Sequence, residues 1–222
     1  MEETNFLSSE QGFSLVELLI VIVIISILTT IAVLGTASTK LFAADNQALA
    51  ITDILQEARQ KALTERKTLR VELNDTKKQI RLIDENNTTS TAADDKIIRS
   101  SSFDPATSVG TKPANIDPVY SVLPQSGSPV PEMQYTQTNY LLSQNDQVKT
   151  LRFTKTGEVV DGGTDNLGTG AINTGATIYV YNGASGSKSS IVRAITLSGI
   201  TAAAQLFKCQ TNAQGICTSW AK

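Results

Sequence analysis

The sequence of 222 residues contains no histidine, and this absence excludes several common classes of enzyme. Ser-His-Asp and Cys-His nucleophilic sites use an imidazole to carry the proton, and most zinc and haem sites use imidazole as a ligand. The serines, lysines and acids that are present form no nucleophile motif, glycine-rich phosphate loop or carboxylate pair. Residues 161–166 (DGGTDN) could offer oxygen ligands to calcium, but ordinary loop chemistry explains them more simply. We therefore expect no enzymatic activity, no cofactor and no metal site, with a membrane-anchored hydrolase as the minor alternative.

A strong net charge of either sign is also absent. The chain has 19 basic and 21 acidic residues, a formal charge of -2 and 41% hydrophobic residues. This near balance gives no whole-chain argument for nucleic-acid binding, and the composition is that of an ordinary folded protein. The length suits one domain with one extension.

Basic residues are missing from the whole N-terminal part, where Lys40 is the first cation. Residues 18–39 (LLIVIVIISILTTIAVLGTAST) carry no charge at all. As a helix these 22 residues would be roughly 33 Å long, enough to cross a hydrocarbon layer of about 30 Å. We therefore predict a transmembrane helix. A buried core helix rarely runs this long without a charge, and a cleaved secretory signal would have a basic start and an A-x-A-like site.

The residues before this run form the most specific motif in the chain. Residues 12–18 (GFSLVEL) resemble the processing site of type IV prepilins and type II secretion pseudopilins. In those proteins a membrane-bound prepilin peptidase cuts after the glycine and methylates the new N-terminal residue. The resemblance implies that residues 1–12 are a leader, that Gly12 is its last residue, and that Phe13 becomes the N-methylated start of the retained chain.

Glu17 lies at the start of the predicted membrane helix. A carboxylate in such a segment costs a few kcal/mol unless it has a partner. Cleavage would create one, because the new α-amine of Phe13 is largely cationic at neutral pH and lies about one helical turn away. In the pilin family this charge pair is held to guide the docking of a subunit into the filament, so the resemblance makes Glu17 an assembly residue. A glutamate that merely lies at the level of the lipid headgroups is the alternative.

The resemblance also implies partners and a location. Beside the prepilin peptidase, the chain would meet other pilin or pseudopilin subunits through its N-terminal helix, an inner-membrane assembly platform, and membrane lipid before assembly. We expect a single pass through the bacterial inner membrane with the C-terminal domain in the periplasm, and then transfer to a pilus or pseudopilus filament. The leader has three acids and no base, so the positive-inside rule does not support this orientation, which comes from the family.

The transmembrane or filament-core helix, residues 13–39, is expected to continue as an amphipathic helix over residues 40–66. Apolar residues recur there every three or four positions, and polar residues lie largely elsewhere on the surface. The apolar stripe consists of Leu41, Ala44, Ala48, Ile51, Leu55, Ala58 and Ala62. Because the repeat is short and rich in alanine, we expect it to pack against the chain's own sheet; a dimeric coiled coil is the alternative.

After residue 66 the periodicity changes from that of a helix to that of strands. Residues 68–73 and 79–83 alternate apolar and polar positions around a turn at 74–77, which predicts a hairpin. Residues 104–147 are rich in Pro, Ser, Gly, Gln and Asn and are predicted to be a long loop region. Further strands are predicted at 97–103, 148–153, 176–181, 191–197 and 201–207. The fold class is therefore α+β, with a long N-terminal helix packed on an antiparallel sheet from residues 67–222, as in type IV pilin-like proteins.

A narrower resemblance links the chain to the GspH/FimT group of minor pilins and pseudopilins. It rests on residues 56–62 (QEARQKA) and the strand that follows, and on residues 151–157 (LRFTKTG) and 193–199 (RAITLSG), which are similar to that group's C-terminal strands. Members of the group are subunits of low abundance that are thought to initiate or cap filaments. The alternatives are a major pilin and a DNA-binding minor pilin for natural transformation. DNA-binding relatives carry Gly-Arg-x-Arg after the last strands, whereas residues 199–202 are Gly-Ile-Thr-Ala, which argues against nucleic acid as a partner.

Cys209 and Cys217 are the only cysteines and enclose a short polar loop. In an exported domain such a pair predicts a disulfide, which would hold the C-terminal tail and Trp220 near the last strand. Two free thiols are the main alternative. Metal ligation by two thiolates without histidine is not expected.

Overall fold

The chain divides into two compact units, Met1–Thr39 and Lys40–Lys222. The computed structural model describes residues 14–86, 94–116, 136–137, 140–161 and 175–222, and at 31–41, 136–137 and 161 it describes the backbone alone. Gly12, Phe13 and residues 162–166 of the loop considered for calcium lie outside the described residues.

One helix, α1 (Leu15–Glu65), belongs to both units. It begins where the carbonyl of Ser14 accepts the N–H of Glu17 at 3.0 Å and the N–H of Leu18 at 3.1 Å. It contains no proline to interrupt its backbone hydrogen bonds, and it ends where Arg66 takes a left-handed φ of 54°. The long N-terminal helix expected from the sequence is therefore confirmed.

The rest of the described chain is built mainly of antiparallel strands. They are β1 (Leu69–Asn74), β2 (Gln79–Asp84), β3 (Lys96–Ser102), β4 (Thr107–Val109), β5 (Thr136–Gln137), β6 (Gln147–Phe153), β7 (Val159–Asp161), β8 (Gly175–Asn182), β9 (Val192–Ser198), β10 (Ala204–Thr211) and β11 (Cys217–Ala221). A short 3-10 helix, Leu141–Ser143, precedes β6.

These strands form two sheets. Sheet A has the order β3-β2-β1-β6-β5, with β7 also paired to β6, and sheet B has the order β11-β10-β9-β8-β4. The predicted β1–β2 hairpin is confirmed, and its turn is fixed by Asn74, whose Oδ1 accepts the N–H of Lys77 at 2.8 Å. In each sheet most paired strands are close in sequence, but β6 pairs with the distant β1 and β4 pairs with the distant β8.

A single helix face covers both sheets. Residues at a spacing of three and four along α1, namely Ala44, Ala48, Ile51, Leu55, Ala58 and Ala62, are fully buried. All but Ala44 share one core cluster with Val71 and Phe153 of sheet A and with Ile178 and Ile195 of sheet B. The predicted packing of the apolar stripe against the chain's own strands is therefore confirmed, although the sequence predicted one sheet and the structure has two. The side chain of Leu41, the first residue of the predicted stripe, lies outside the described part of the structure.

The two-sheet arrangement has a physical reason. The helix buries apolar side chains from both sheets in one core, so neither sheet has to extend across the whole domain. Short strands such as β4, β7 and β11 were not predicted, because a run of three to five residues gives little periodicity. Each is stabilised by pairing with a longer strand: β4 with the distant β8, β7 with the preceding β6, and β11 with the preceding β10.

Candidate processing and assembly site

Glu17 lies in the first turn of α1 and its side chain is exposed. The unpaired N–H groups of a helix N-terminus favour a carboxylate there by about 0.3–1 kcal/mol, so Glu17 fits its position for a local reason as well. The predicted cleavage residues Gly12 and Phe13 immediately precede the described part of the chain. Glu17 is thus the first acid of the helix and has no neighbouring charge along the next 22 residues.

Apolar side chains cover the helix surface before and after Glu17. They are exposed by 45% to 81%, and because consecutive residues point in different directions around a helix, they cover all of its sides. They are Leu15, Val16, Leu18, Leu19, Ile20, Val21, Ile22, Val23, Ile24, Ile25, Ile27 and Leu28. Apolar surface of this extent normally lies against lipid or another protein.

Among the residues that the structure describes, no helix combines enough length with enough apolarity to be identified as a membrane span.

The few polar residues in this segment form hydrogen bonds within the helix. The hydroxyl of Ser26 donates to the carbonyl of Ile22, that of Thr29 to Ile25, and that of Thr30 to Ser26 at 2.8 Å. A hydroxyl bonded to the carbonyl four residues earlier needs no outside partner. The helix can therefore meet an apolar surrounding without an unpaired side-chain donor at these positions.

Further along, α1 is tied to both sheets by ion pairs. Arg193 of β9 donates from Nε to Oδ1 of Asp45 at 2.5 Å and from Nη2 to Oδ2 at 3.1 Å. Arg99 of β3 contacts Asp53 and Glu57 of the helix, each at 2.7 Å. The hydrogen bonds from Arg193 lower the pKa of Asp45, and those to Glu57 and Asp53 raise the pKa of Arg99.

These ion pairs were missed in the sequence. The sequence predicted that polar residues such as Asp45 and Asp53 lie outside the buried apolar stripe, and they do. It did not indicate which residues they would pair with. Asp45 and Arg193 are 148 positions apart, so no local pattern relates them.

The face of sheet A that points away from the core carries a buried ion cluster. It consists of Arg70, Glu72, Arg81, Glu85, Asp95 and Arg152. Glu85 accepts hydrogen bonds from Arg70 and from Nε of Arg152 at 2.8 Å, and Glu72 pairs with Arg81. The guanidinium of Arg70 also lies 4.5 Å from the centre of the Tyr140 ring.

Burial and pairing act in opposite directions on this ion cluster. Burial raises the pKa of Asp95, although the charge of Arg70 opposes it. Burial is the largest single influence on the pKa of Arg152 and acts to lower it, but the hydrogen bonds to Glu85, the charge of Glu85 and the contact with Tyr140 together outweigh it, so that this pKa is raised. Three cations and three carboxylates balance, which is the condition for burying charge at all. The cluster is structural: its paired side chains are nearly inaccessible.

The two cysteines form a disulfide with an S–S distance of 2.05 Å. It joins β10 to β11, and Trp220 of β11 lies opposite Cys209 in the strand pair. The Trp220 ring packs near Tyr179 of sheet B, with 6.5 Å between ring centres. The disulfide therefore attaches the last strand to the sheet.

A family comparison identifies the N-terminal pattern. The family described as "Prokaryotic N-terminal methylation motif" matches residues 7–33. The chain carries this methylation motif. The match includes Gly12, Phe13 and Glu17, and it confirms the N-terminal resemblance to type IV prepilins and pseudopilins.

Comparisons of the whole chain add less than the methylation motif does. No curated protein sequence matches the chain. A solved structure that is similar is the minor pseudopilin EpsH from the Type 2 Secretion System of Vibrio cholerae, at 12% sequence identity and a TM-score of 0.42. The alignment covers 75% of this chain and 97% of that chain.

Proposed function

We propose that the chain is a minor pilin or type II secretion pseudopilin, a non-enzymatic subunit that initiates or caps a filament. The observation that carries the proposal is the methylation motif at residues 7–33, which includes Gly12, Phe13 and Glu17. α1 begins at Leu15, directly after the proposed cleavage site, so cleavage would leave a helix with a free amine at its head. N-methylation of Phe13 needs this free amine.

The proposal assigns a role to each part of the chain. Residues 1–12 are the leader that prepilin peptidase removes. Residues 13–39 lie in the inner membrane as a single span and later pack against other subunits in the filament core. Residues 40–66 join this segment to the periplasmic domain of residues 67–222. The support is the uncharged run at 18–39, the internally bonded hydroxyls of Ser26, Thr29 and Thr30, and a disulfide of the kind found in exported proteins.

Glu17 supplies the register in this scheme. A carboxylate in an apolar surrounding is costly unless it meets a positive charge. The amine of Phe13, on the same or a neighbouring subunit, is the group that cleavage provides. Pairing thus favours the arrangement in which helices dock at the correct height, before the inner-membrane assembly platform moves the subunit out of the lipid.

Mass spectrometry of the N-terminus tests the processing step. We expect the retained chain to begin at N-methylated Phe13, and the Gly12→Val variant to keep its leader. The same mature N-terminus in Gly12→Val, or a wild-type chain that still begins at Met1, would contradict the proposal.

Variants at Glu17 test assembly separately from processing. Glu17→Ala is expected to be cleaved normally but to be recovered in sheared filaments or pseudopili at a much lower level than wild type. Ser26→Ala is the matched control, because the Ser26 hydroxyl is satisfied within its own helix. Abundance in the sheared fraction also tests the minor role: a chain that makes up the bulk of the filament is a major pilin.

A further inference from the structure

Arg59 differs from most arginines of the chain in having no ionic partner among the residues that the structure describes. The chain has seven arginines, all within the described residues. Five of them pair with carboxylates: Arg70, Arg81, Arg99, Arg152 and Arg193. Within the described chain, Arg59 and Arg66 have no carboxylate at ion-pair distance. In the described part of the chain, Arg59 is therefore one of two arginines whose guanidinium is not paired with a carboxylate.

Arg59 lines a groove of about 390 Å³ between α1 and the turn that joins β9 to β10. We call it the Arg59 groove; its lining residues are Gln56, Arg59, Gln60 and Leu63 of α1 and Ala202, Ala203 and Ala204 of the turn and β10. The four helix residues follow the i, i+3, i+4, i+7 spacing of one helix face. Facing them are only methyl side chains, so no large group covers the guanidinium from the opposite wall.

The opposite wall is itself well fixed. Ala202 is buried and takes a left-handed φ of 49°. The carbonyl of Ala203 accepts the N–H of Ser198 at 3.1 Å. Because the turn is held by its own hydrogen bonds and by burial, the groove is a property of the fold.

The chemistry of the lining suits a carboxylate on a polypeptide. A guanidinium presents two parallel N–H groups that match the two oxygens of a carboxylate. Gln56 and Gln60 each offer an amide donor and an amide acceptor, which are the groups that pair with a peptide backbone. Along α1 the groove extends from Gln56 to Leu63, roughly 10 Å, the length of about three extended residues.

We propose that the Arg59 groove docks an extended acidic segment of a partner protein, with a carboxylate of that segment on the Arg59 guanidinium. This goes beyond the filament role, because it requires neither cleavage nor assembly. Nucleic acid is disfavoured as the occupant: the groove has one cation and no aromatic ring on which a base could stack.

Fluorescence anisotropy with labelled probes and the whole chain in detergent micelles tests the proposal. The probes are a peptide of alternating glycine and glutamate, the same peptide with lysine in place of glutamate, and an oligothymidine. The variants are Arg59→Gln, Arg59→Lys and Arg66→Gln. Arg66 is the matched control because it is the other unpaired arginine and does not line the groove.

The wild type and Arg66→Gln are expected to bind the acidic peptide at physiological ionic strength, and the lysine peptide not at all. Arg59→Gln should weaken binding of the acidic peptide at least about fivefold. The affinity of Arg59→Lys should lie between those of wild type and Arg59→Gln, because lysine keeps the charge but lacks the two parallel N–H donors of a guanidinium. Three results would each overturn the proposal: no acidic-peptide binding by wild type, equal weakening by Arg59→Gln and Arg66→Gln, or an Arg59-dependent preference for oligothymidine. None of these binding results bears on processing at Gly12. The docking proposal can therefore fail while the proposed filament role stands, and the reverse.

Discussion

Arg193 of β9 holds Asp45 of α1 through two hydrogen bonds, at 2.5 and 3.1 Å, across the boundary between the helix and sheet B. Arg193 is buried, whereas the Asp45 side chain is 26% exposed. Together with the contacts of Arg99 to Asp53 and Glu57, this pair holds one helix against two sheets. Apolar packing alone allows a helix to slide or rotate on a flat surface, and directional ion pairs restrict that freedom.

Removal of the arginine should therefore weaken this attachment. We expect Arg193→Met to lower the free energy of unfolding by about 1–2 kcal/mol, the range for loss of a hydrogen-bonded partly buried pair. Urea unfolding followed through Trp220, the single tryptophan, provides the measurement. Arg66→Met, which removes an arginine without a carboxylate partner in the described structure, should change stability little. Equal effects of the two variants would show that the ion pair contributes nothing.

The same pair predicts how stability depends on pH. The pKa of Asp45 is lowered from its ordinary value of 3.8, chiefly by the hydrogen bonds from Arg193. A carboxyl whose pKa is lower in the folded state contributes stability above its unfolded pKa and loses it as the pH falls through the folded value. Unfolding midpoints measured below about pH 4 should therefore fall less steeply in Asp45→Asn than in wild type. Parallel acid profiles for the two proteins would contradict this assignment.

The ion cluster of sheet A should be sensitive to loss of a single charge. Glu85 serves both Arg70 and Arg152, so Glu85→Gln leaves buried cations without compensation. Breaking a buried pair in this way costs about 3–5 kcal/mol, far more than an exposed pair. Urea unfolding of Glu85→Gln measures this cost, and Asp75→Asn is the control.

The control removes an exposed pair with Lys78 in the neighbouring hairpin turn. It should cost about 0–1 kcal/mol. If Glu85→Gln were no more harmful than Asp75→Asn, the ion cluster would have to be hydrated rather than buried.

The disulfide should stabilise the last strand. In the chain-entropy model, a crosslink of this short span stabilises the fold by roughly 2–3 kcal/mol. Thermal unfolding with and without reductant should therefore differ for wild type. The double variant Cys209→Ser, Cys217→Ser should match the reduced wild type and show no response to reductant. An unchanged midpoint on reduction would argue that β11 is held by its strand pairing and by Trp220 alone.

Several features of this protein were determined by local sequence. The uncharged run at 18–39 and the three-four spacing up to Ala62 specify a helix, because backbone hydrogen bonds and side-chain periodicity are properties of neighbouring residues. The β1–β2 hairpin follows from alternation around Asn74, whose side chain closes the turn. The methylation motif is likewise a short linear pattern, so Gly12, Phe13 and Glu17 could be found without any structure.

The tertiary structure decided the rest. Alternation in β1 identified a strand, yet it could not show that Arg70 and Glu72 are as fully buried as Leu69 and Val71 on the other face. That burial depends on partners from distant segments, such as Glu85, Asp95 and Arg152. Three other features depend in the same way on which segments meet: the division into two sheets, the Asp45–Arg193 pair and the uncovered guanidinium of Arg59. Each involves residues that are far apart in the chain and that only the packed core brings together.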